Sequence, residues 1–209
     1  VRTEATYTVD EEKLPEGFST FNLVVKGLTG GHSGDDINKK RANANKLLVR
    51  FLLEQSEKTD LRLCDIQAGG LHNAIPREAH ATVAVPTAYV ATFGEELQAF
   101  VEKVRDEFSA TEPELTAVIE PVAAAPTCIC KEQAERLLKS LSVVHNGIFA
   151  MSQDLEGLVE TSSNLASVRK HGNQIVATTS QRSSVASNLE YMASVVRSAF
   201  ELGGAKCVT

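Results

Sequence analysis

Apolar residues recur every three or four positions in four segments of the chain, which is the spacing of one face of an α-helix. This pattern predicts helices over about residues 36–57, 92–109, 131–145 and 184–202. Ser33 fits the N-cap position ahead of the first helix, and Asp36 can close a weak capping box three residues later. The chain is therefore expected to be rich in amphipathic helices.

Between these helices lie short runs that are rich in β-branched residues or alternate in polarity, as strands do. The runs are residues 19–26, 61–67, 79–86, 115–122, 160–169, 174–180 and 205–209. The dipeptide Gly172-Asn173 separates two of them and is typical of a tight hairpin turn. Strands and helices thus alternate along most of the chain.

The order of these elements predicts an α+β fold with an internal duplication. The first half reads β-α-β-β-α-β, and the second reads α-β-β-α-β, completed if residues 115–122 or a nearby strand serve both halves. Two ferredoxin-like β-α-β-β-α-β units would give two antiparallel sheets, each with helices packed on one face. The stretch Ala123–Pro126 is the expected seam, so we predict subdomains over residues 1–124 and 125–209.

Composition and charge narrow the class of protein. The formal net charge is −6 and no block of basic residues occurs, which argues against nucleic acid and anionic membranes as partners. No apolar run approaches the ~20 residues of a membrane-spanning helix. The four cysteines are too sparse for a disulfide scaffold, and the lone Cys128-Ile-Cys130 lacks zinc-finger spacing, so we expect reduced thiols and a cytoplasmic protein.

The most distinctive local feature is the sequence LTGGHSGDD over residues 28–36. A predicted strand ends there and two glycines follow, which allow tight turns and close approach of another chain or ligand. His32 would then lie on a loop and point away from the sheet. The alternative is a half-buried loop histidine that bonds a backbone carbonyl.

Two further segments carry polar side chains at strand ends. In GGLHNAIPR, residues 69–77, Asn73 can offer an amide for recognition or serve only as a turn residue. Arg182 follows a predicted strand and precedes a helix, where it can bind a carboxylate bidentately or remain a solvated charge at the rim. Sequence context alone leaves both alternatives open.

Known catalytic signatures are missing from the chain. Its five histidines include no HExxH pair, and there is no GxSxG, Walker loop or GxGxxG. A two-metal hydrolase needs several carboxylates and histidines that converge on ions ~3.5–4 Å apart. Adjacent Asp35 and Asp36 diverge at a helix start and are poor candidates for such a site.

Taken together, the motifs resemble the aminoacyl-histidine (Xaa-His, or carnosine-type) dipeptidases of the aminoacylase and carboxypeptidase-G metallopeptidase superfamily. The resemblance extends from Val24 to Val185 and is carried by VVKGLTGGHSGDDI, RANANKLLVRFL, LRLCDIQAGGLHNAIPREAHATV, VETSSNLASV and QRSSV. It implies that the chain is the lid domain inserted between two halves of a catalytic domain that holds two zinc ions. The metal ligands and the general base would then lie outside this chain, which alone would be inactive.

The resemblance also implies roles for four residues. His32 would polarise the scissile carbonyl of a dipeptide substrate, and Asn164 and Arg182 would bind its free carboxylate. Asn73 would be a weaker substrate-binding site or a relic of the duplication. Superfamily lids act across a homodimer, whereas a doubled lid can supply both groups within one chain.

Some features leave other interpretations open. Asp35 and Asp36 depart from the smaller or neutral residues expected after GGHSG. A stand-alone pair of ferredoxin-like modules that binds a small ligand or a protein is the main alternative, since fold alone does not decide function. The lid of a related aminoacylase or tripeptidase is a third interpretation.

Overall fold

The computed structural model describes all 209 residues, from Val1 to Thr209. The helices are α1 (Ala44–Lys58), α2 (Val90–Glu107), α3 (Lys131–Val143) and α4 (Ala186–Leu202). The strands are β1 (Arg2–Thr8), β2 (Glu11–Lys13), β3 (Phe18–Lys26), β4 (Gly31–His32), β5 (Arg62–Gly69), β6 (Ala74–Ile75), β7 (Ala79–Pro86), β8 (Thr116–Pro121), β9 (Thr127–Ile129), β10 (Gly147–Met151), β11 (Val159–His171), β12 (Gln174–Ser183) and β13 (Lys206–Val208). None of the helices combines the length and apolar character that a membrane crossing requires.

A single nine-stranded antiparallel sheet runs through the molecule. Its order is β13-β1-β12-β11-β5-β7-β3-β8, and β10 pairs with part of β11. The predicted α+β class is confirmed, but the two separate sheets that we expected are one. Strand β11 of one half pairs antiparallel with β5 of the other through Ser167–Arg169, because two open edges can satisfy each other's backbone groups.

The two halves of this sheet have matching strand orders. The first half runs β5-β7-β3-β8 outward from the seam, and the second runs β11-β12-β1-β13. The expected completing strand, residues 115–122, lies wholly in the first half, so that expectation is wrong. Strand β1 completes the second half instead, since its alternate residues Thr3, Ala5 and Tyr7 are buried under the helices. The ferredoxin-like description of each half stays a prediction.

This placement of β1 bears on the predicted division at residue 124. Strand β1 is first in sequence, yet it pairs with β12 and β13, which come last. The first half, from β3 to β8, is therefore inserted between β1 and the rest of the second half. The division into 1–124 and 125–209 stays a prediction. Strand β1 lies within residues 1–124 but pairs with strands of residues 125–209.

All four helices pack side by side on one face of the sheet. Contacts join α2 to α1, α1 to α3, and α3 to α4. One cluster of 42 buried apolar residues extends under all of them, with Phe51 of α1, Leu137 of α3 and Phe200 of α4 among its members. The two halves thus share one hydrophobic core.

Helix α1 begins later than the sequence pattern predicts. Residues 33–38 form turns and the helix starts at Ala44, so Ser33 is not its N-cap. Asn43 caps the helix, because its side-chain oxygen accepts hydrogen bonds from the backbone N–H groups of Asn45 and Lys46 at 3.0 and 3.2 Å. The predicted helical segment before residue 44 was wrong because Asp36 bonds back to the loop instead of capping a helix.

Candidate functional site

Two glycines shape the loop that carries His32. Gly30 and Gly31 have φ values of +64° and +142°, which L side chains rarely adopt. A Cβ added to Gly30 would meet the Arg77 side chain at 2.2 Å, and one added to Gly31 would meet Arg41 at 2.2 Å. The backbone can reach the position of His32 only because both residues lack a side chain.

Asp36 fixes this loop from within. Its carboxylate accepts a hydrogen bond from the backbone N–H of His32 at 2.8 Å and pairs with Lys39 at 2.6 Å and Arg41 at 3.2 Å. The bonds from Lys39 and from the His32 amide lower the pKa of Asp36 to about 2. Asp36 is therefore ionised near neutral pH and holds the His32 backbone in place.

The imidazole of His32 has one nitrogen turned to the loop and one turned away from it. Backbone N–H groups of Asp35 and Gly34 point at Nδ1 from 3.2 and 3.4 Å, and the exposed Asp35 carboxylate lies 3.1 Å from the same atom. The two amide hydrogens aimed at Nδ1 favour an imidazole hydrogen on Nε2, whereas the Asp35 carboxylate beside Nδ1 favours the other tautomer. The side chain is about one-third exposed, at 37%.

Arg182 meets this ring from the other half of the molecule. It lies near the end of β12, and its Nη2 is 3.4 Å from Nε2 of His32. Its guanidinium lies over Gly34, where an added Cβ would be 3.0 Å from Nη1. Arg182 can only donate, and His32 Nε2 also donates in the tautomer that carries its hydrogen there, so the two groups together can bind an anionic oxygen.

Asn164 bonds to Ala74, the strand partner of His32, and its side chain is fully engaged within the protein. It is 1% exposed, its Nδ2 donates to the carbonyl of Ala74 at 2.8 Å, and its Oδ1 accepts from Asn43 at 3.2 Å. The structure brings Asn164 close to the His32 loop as expected. It leaves the amide no surface from which to bind a carboxylate, so that role stays a prediction.

Asn73 contributes its backbone to the same assembly. Its carbonyl accepts the Ser33 N–H at 2.8 Å, next to the two-stranded pairing of β4 with β6, in which His32 is opposite Ala74. No hydrogen bond to the Asn73 side chain is present. Its predicted substrate-binding role also stays a prediction.

Other features of the surface do not join this site. None of the other four histidines bonds to the residues above, and no group of three or more His, Cys, Asp or Glu side chains converges as metal ligands do. A cavity of about 460 Å³ lies between α4 and the two end residues, Val1 and Thr209. It contains none of the predicted site residues.

Two residues next to the site were missed in the sequence. Asn43 and Asn146 contact each other through Nδ2 and Oδ1 at 2.9 Å, and both bond to the backbone of Leu165 beside Asn164. Asn43 could have been found from the sequence, since an Asn three residues before the run KLLVRFL is a good N-cap candidate, although Asn45 fits the same pattern. No local sequence pattern marks Asn146, because its contacts join distant parts of the chain.

Comparison with known proteins agrees with this picture. Residues 16–115 match the family model described as the M20 peptidase dimerisation domain. The chain is 38% identical over 198 residues to the cytosol non-specific dipeptidase of Escherichia coli K12, which covers 95% of this chain and 41% of that protein. It superposes on the crystal structure of aminoacylhistidine dipeptidase from Vibrio alginolyticus with a TM-score of 0.96 and 34% identity, over 99% of this chain and 42% of the other.

The fold and these likenesses identify the chain with the dimerisation domain of M20 peptidases. It belongs to the M20 metallopeptidase family, in a group that includes dipeptidases. The chain spans about two fifths of the length of both relatives.

Proposed function

We propose that this chain closes over the active site of a cytoplasmic dipeptidase and completes it with His32 and Arg182. His32 would donate through Nε2–H to the oxyanion that develops at the scissile carbonyl. Arg182 would bind the free carboxylate of the substrate. Dipeptides of the Xaa-His type are the proposed substrate, in line with the resemblance described above.

The observation that carries this proposal is the 3.4 Å separation between His32 Nε2 and Arg182 Nη2. The two groups come from different halves of the molecule, and Arg182 forms no ion pair with a carboxylate of the chain. The His32 backbone is held by Asp36, and donors that are already in place need little reorganisation when charge develops, which favours oxyanion stabilisation. Both groups come from one chain, so the proposal does not require a partner subunit for this site, although a homodimer is compatible with it.

The metal chemistry is assigned to a separate catalytic domain. The residues of this chain do not fit a zinc site, because no three ligands converge. We therefore derive no step from a metal held here and propose that a catalytic domain with two zinc ions supplies the nucleophile.

Steady-state kinetics of the full-length peptidase tests both roles. The substrates are an Xaa-His dipeptide and the same compound with its carboxylate converted to the amide. We expect His32→Ala to lower kcat by ~10²–10³ for both compounds with bound metal unchanged. Arg182→Lys should raise KM roughly tenfold for the free acid alone, because only that substrate loses a bidentate partner.

Arg136→Lys provides the matched control. Arg136 is exposed on α3 and makes no hydrogen bond or ion pair, so the kinetics with both substrates should not change. Normal kcat in His32→Ala would exclude the oxyanion role. An Arg182→Lys variant that loses activity equally on acid and amide would exclude carboxylate binding, and a panel of Xaa-Leu and Xaa-Gly dipeptides would test the proposed substrate class.

A further inference from the structure

Strand β11 has an interrupted edge where the two halves of the sheet meet. Strand β10 pairs with its residues 159–163, and β5 pairs with residues 167–169 on the same edge. Neither strand reaches Leu165, whose backbone groups would otherwise be buried without partners. An unpaired buried backbone group is costly, so something else must bond to this edge.

Three asparagine side chains replace the missing strand. The Leu165 carbonyl accepts hydrogen bonds from Nδ2 of Asn43 at 3.0 Å and Nδ2 of Asn45 at 3.1 Å. The Leu165 N–H donates to Oδ1 of Asn146 at 2.9 Å. A side-chain amide carries the same donor and acceptor as a peptide group, which explains why asparagine fits here.

Asn43 has a second task in this assembly. Its Oδ1 caps α1, while its Nδ2 faces Asn146 Oδ1, the Leu165 carbonyl and Asn164 Oδ1 at 2.9, 3.0 and 3.2 Å. One side chain thus connects a helix of the first half to a strand of the second half. Asn164 and Asn43 are 1% and 5% exposed, so water cannot easily replace these bonds.

Both groups of the proposed site, His32 and Arg182, are connected to Asn164 through their strand partners. Its Nδ2 holds the carbonyl of Ala74, and Ala74 is the β6 partner of His32. Two residues before Asn164, Ser162 is the β11 partner of Arg182. The position of His32 relative to Arg182 therefore depends on how Asn164 is held.

We infer that Asn43, Asn146 and Asn164 form a positioning network that sets the distance between His32 and Arg182. This network acts through the proposed site and does not touch the substrate, so the inference rests on the proposed function. It also gives Asn164 a role that its burial allows. A displacement of ~1 Å at such a site can cost on the order of 10²-fold in rate.

Asn43→Asp is the most informative variant. The carboxylate keeps the oxygen that caps α1 but loses the amide donor, so three acceptor oxygens then face an acceptor. Asn45→Ala is the matched control. It removes a bond to the same Leu165 carbonyl at 3.1 Å but makes no contact with Asn146 or Asn164. Asn146→Ala serves as a second test of the network if Asn43→Asp does not fold.

Hydrogen exchange of the full-length peptidase, read by mass spectrometry, measures the loop directly. We expect Asn43→Asp and Asn146→Ala to speed exchange in peptides covering residues 29–36 and 71–76 by about tenfold or more relative to the parent. Exchange in peptides from α1 should change much less. In Asn45→Ala, exchange in the loop peptides should not increase more than exchange elsewhere in the protein. Equal acceleration of the loop and α1 in all three variants would overturn the inference.

A double-mutant cycle with His32→Ala separates positioning from general damage. We expect Asn43→Asp to lower kcat by about tenfold or more in the parent, but by less than about threefold when His32 is already alanine. Equal losses in both backgrounds would reduce the network to a structural role. If His32→Ala is itself without effect, the proposed function fails, whereas the exchange experiment still decides whether the network holds the loop.

Discussion

At the scale of single residues, Gly34 shows how a small residue sets the position of a functional one. It lies under the Arg182 guanidinium, and an added Cβ would be 3.0–3.2 Å from Nη1, Cζ and Nε. Contacts this short force the neighbour to move by a few tenths of an ångström. The space above Gly34 is therefore part of the proposed carboxylate site.

Gly34→Ala is expected to raise KM for a dipeptide acid several-fold, on the order of 1 kcal/mol, with little change in kcat. Stability should change little, because Arg182 is exposed and can shift. Gly94→Ala in α2 is the control, since an added Cβ there meets only Ile119, at 4.0 Å. Gly94→Ala should raise the free energy of unfolding by about 0.5–1 kcal/mol and leave KM unchanged. A normal KM in Gly34→Ala would contradict the assignment of this space to the carboxylate site.

A second prediction concerns Cys64. Burial, with smaller contributions from neighbouring Cys128 and Asp65, raises the pKa of this thiol from 9.0 to about 12. The folded protein keeps the proton that the unfolded chain releases, so this contribution to stability is complete below pH 9 and is lost as pH rises towards 12. Burial raises the pKa of Tyr7 in the same sense.

Urea unfolding at several pH values between 8 and 11 measures this effect. The free energy of unfolding should fall less steeply with pH in Cys64→Ala than in the parent. Tyr7 is present in both proteins, as is Lys46, whose lowered pKa acts in the opposite direction, so the difference isolates Cys64. Parallel pH profiles would show that the thiol does not titrate differently on folding.

At the scale of elements, one lysine joins helices from the two halves. Lys46 of α1 donates from Nζ to the carbonyls of Leu141, Ser142 and Val144 at 2.8, 2.6 and 2.9 Å. These carbonyls lie at or just beyond the C-terminal end of α3, where helix N–H groups cannot reach them and a positive charge is favourable. Burial lowers the pKa of Lys46 to about 8, while the three acceptors favour its charged form.

Lys46→Met is expected to lower the free energy of unfolding by about 1–3 kcal/mol, because three carbonyls lose their donor. Lys139→Met, on the exposed face of α3, is the control and should stay within about 0.5 kcal/mol of the parent. The chain has no Trp, so urea unfolding is best followed by far-UV circular dichroism. Equal effects of the two substitutions would show that the helix-end contacts add nothing.

Local patterns predicted most elements well. Helices α2 and α3 agree with the apolar periodicity within two residues at each end, as does β7 with its alternation. The start of α1 was wrong because Asp36 bonds to its own loop, and β1 was missed because its partners are far away in sequence. His32 and Arg182 were identifiable as candidates, but only the folded chain places them 3.4 Å apart.

At the scale of the whole molecule, the two halves form a single structural unit. The seam between β11 and β5 is reinforced by helix contacts between α1 and α3 and by a core that extends under both halves. Neither half can expose its part of this core without disturbing the other. Cooperative behaviour follows from this sharing.

We expect one unfolding transition in calorimetry, with equal calorimetric and van't Hoff enthalpies. The heat-capacity change should be about 2.5–3 kcal/mol/K, from roughly 12–15 cal/mol/K per residue over the 209 residues. Two resolved transitions, or a heat-capacity change of about half this value, would show that the halves unfold separately.

The far placement of β1 has a consequence for biosynthesis. Strand β1 is the first segment of this chain to emerge during translation, yet its partner β12 begins 166 residues after β1 ends, at Gln174. The intervening β3–β8 segment contains all the strands of its own half and can fold in the meantime. Meanwhile β1 remains an unpaired strand with alternating apolar residues, which is the kind of segment that chaperones bind and that mispairs at high concentration.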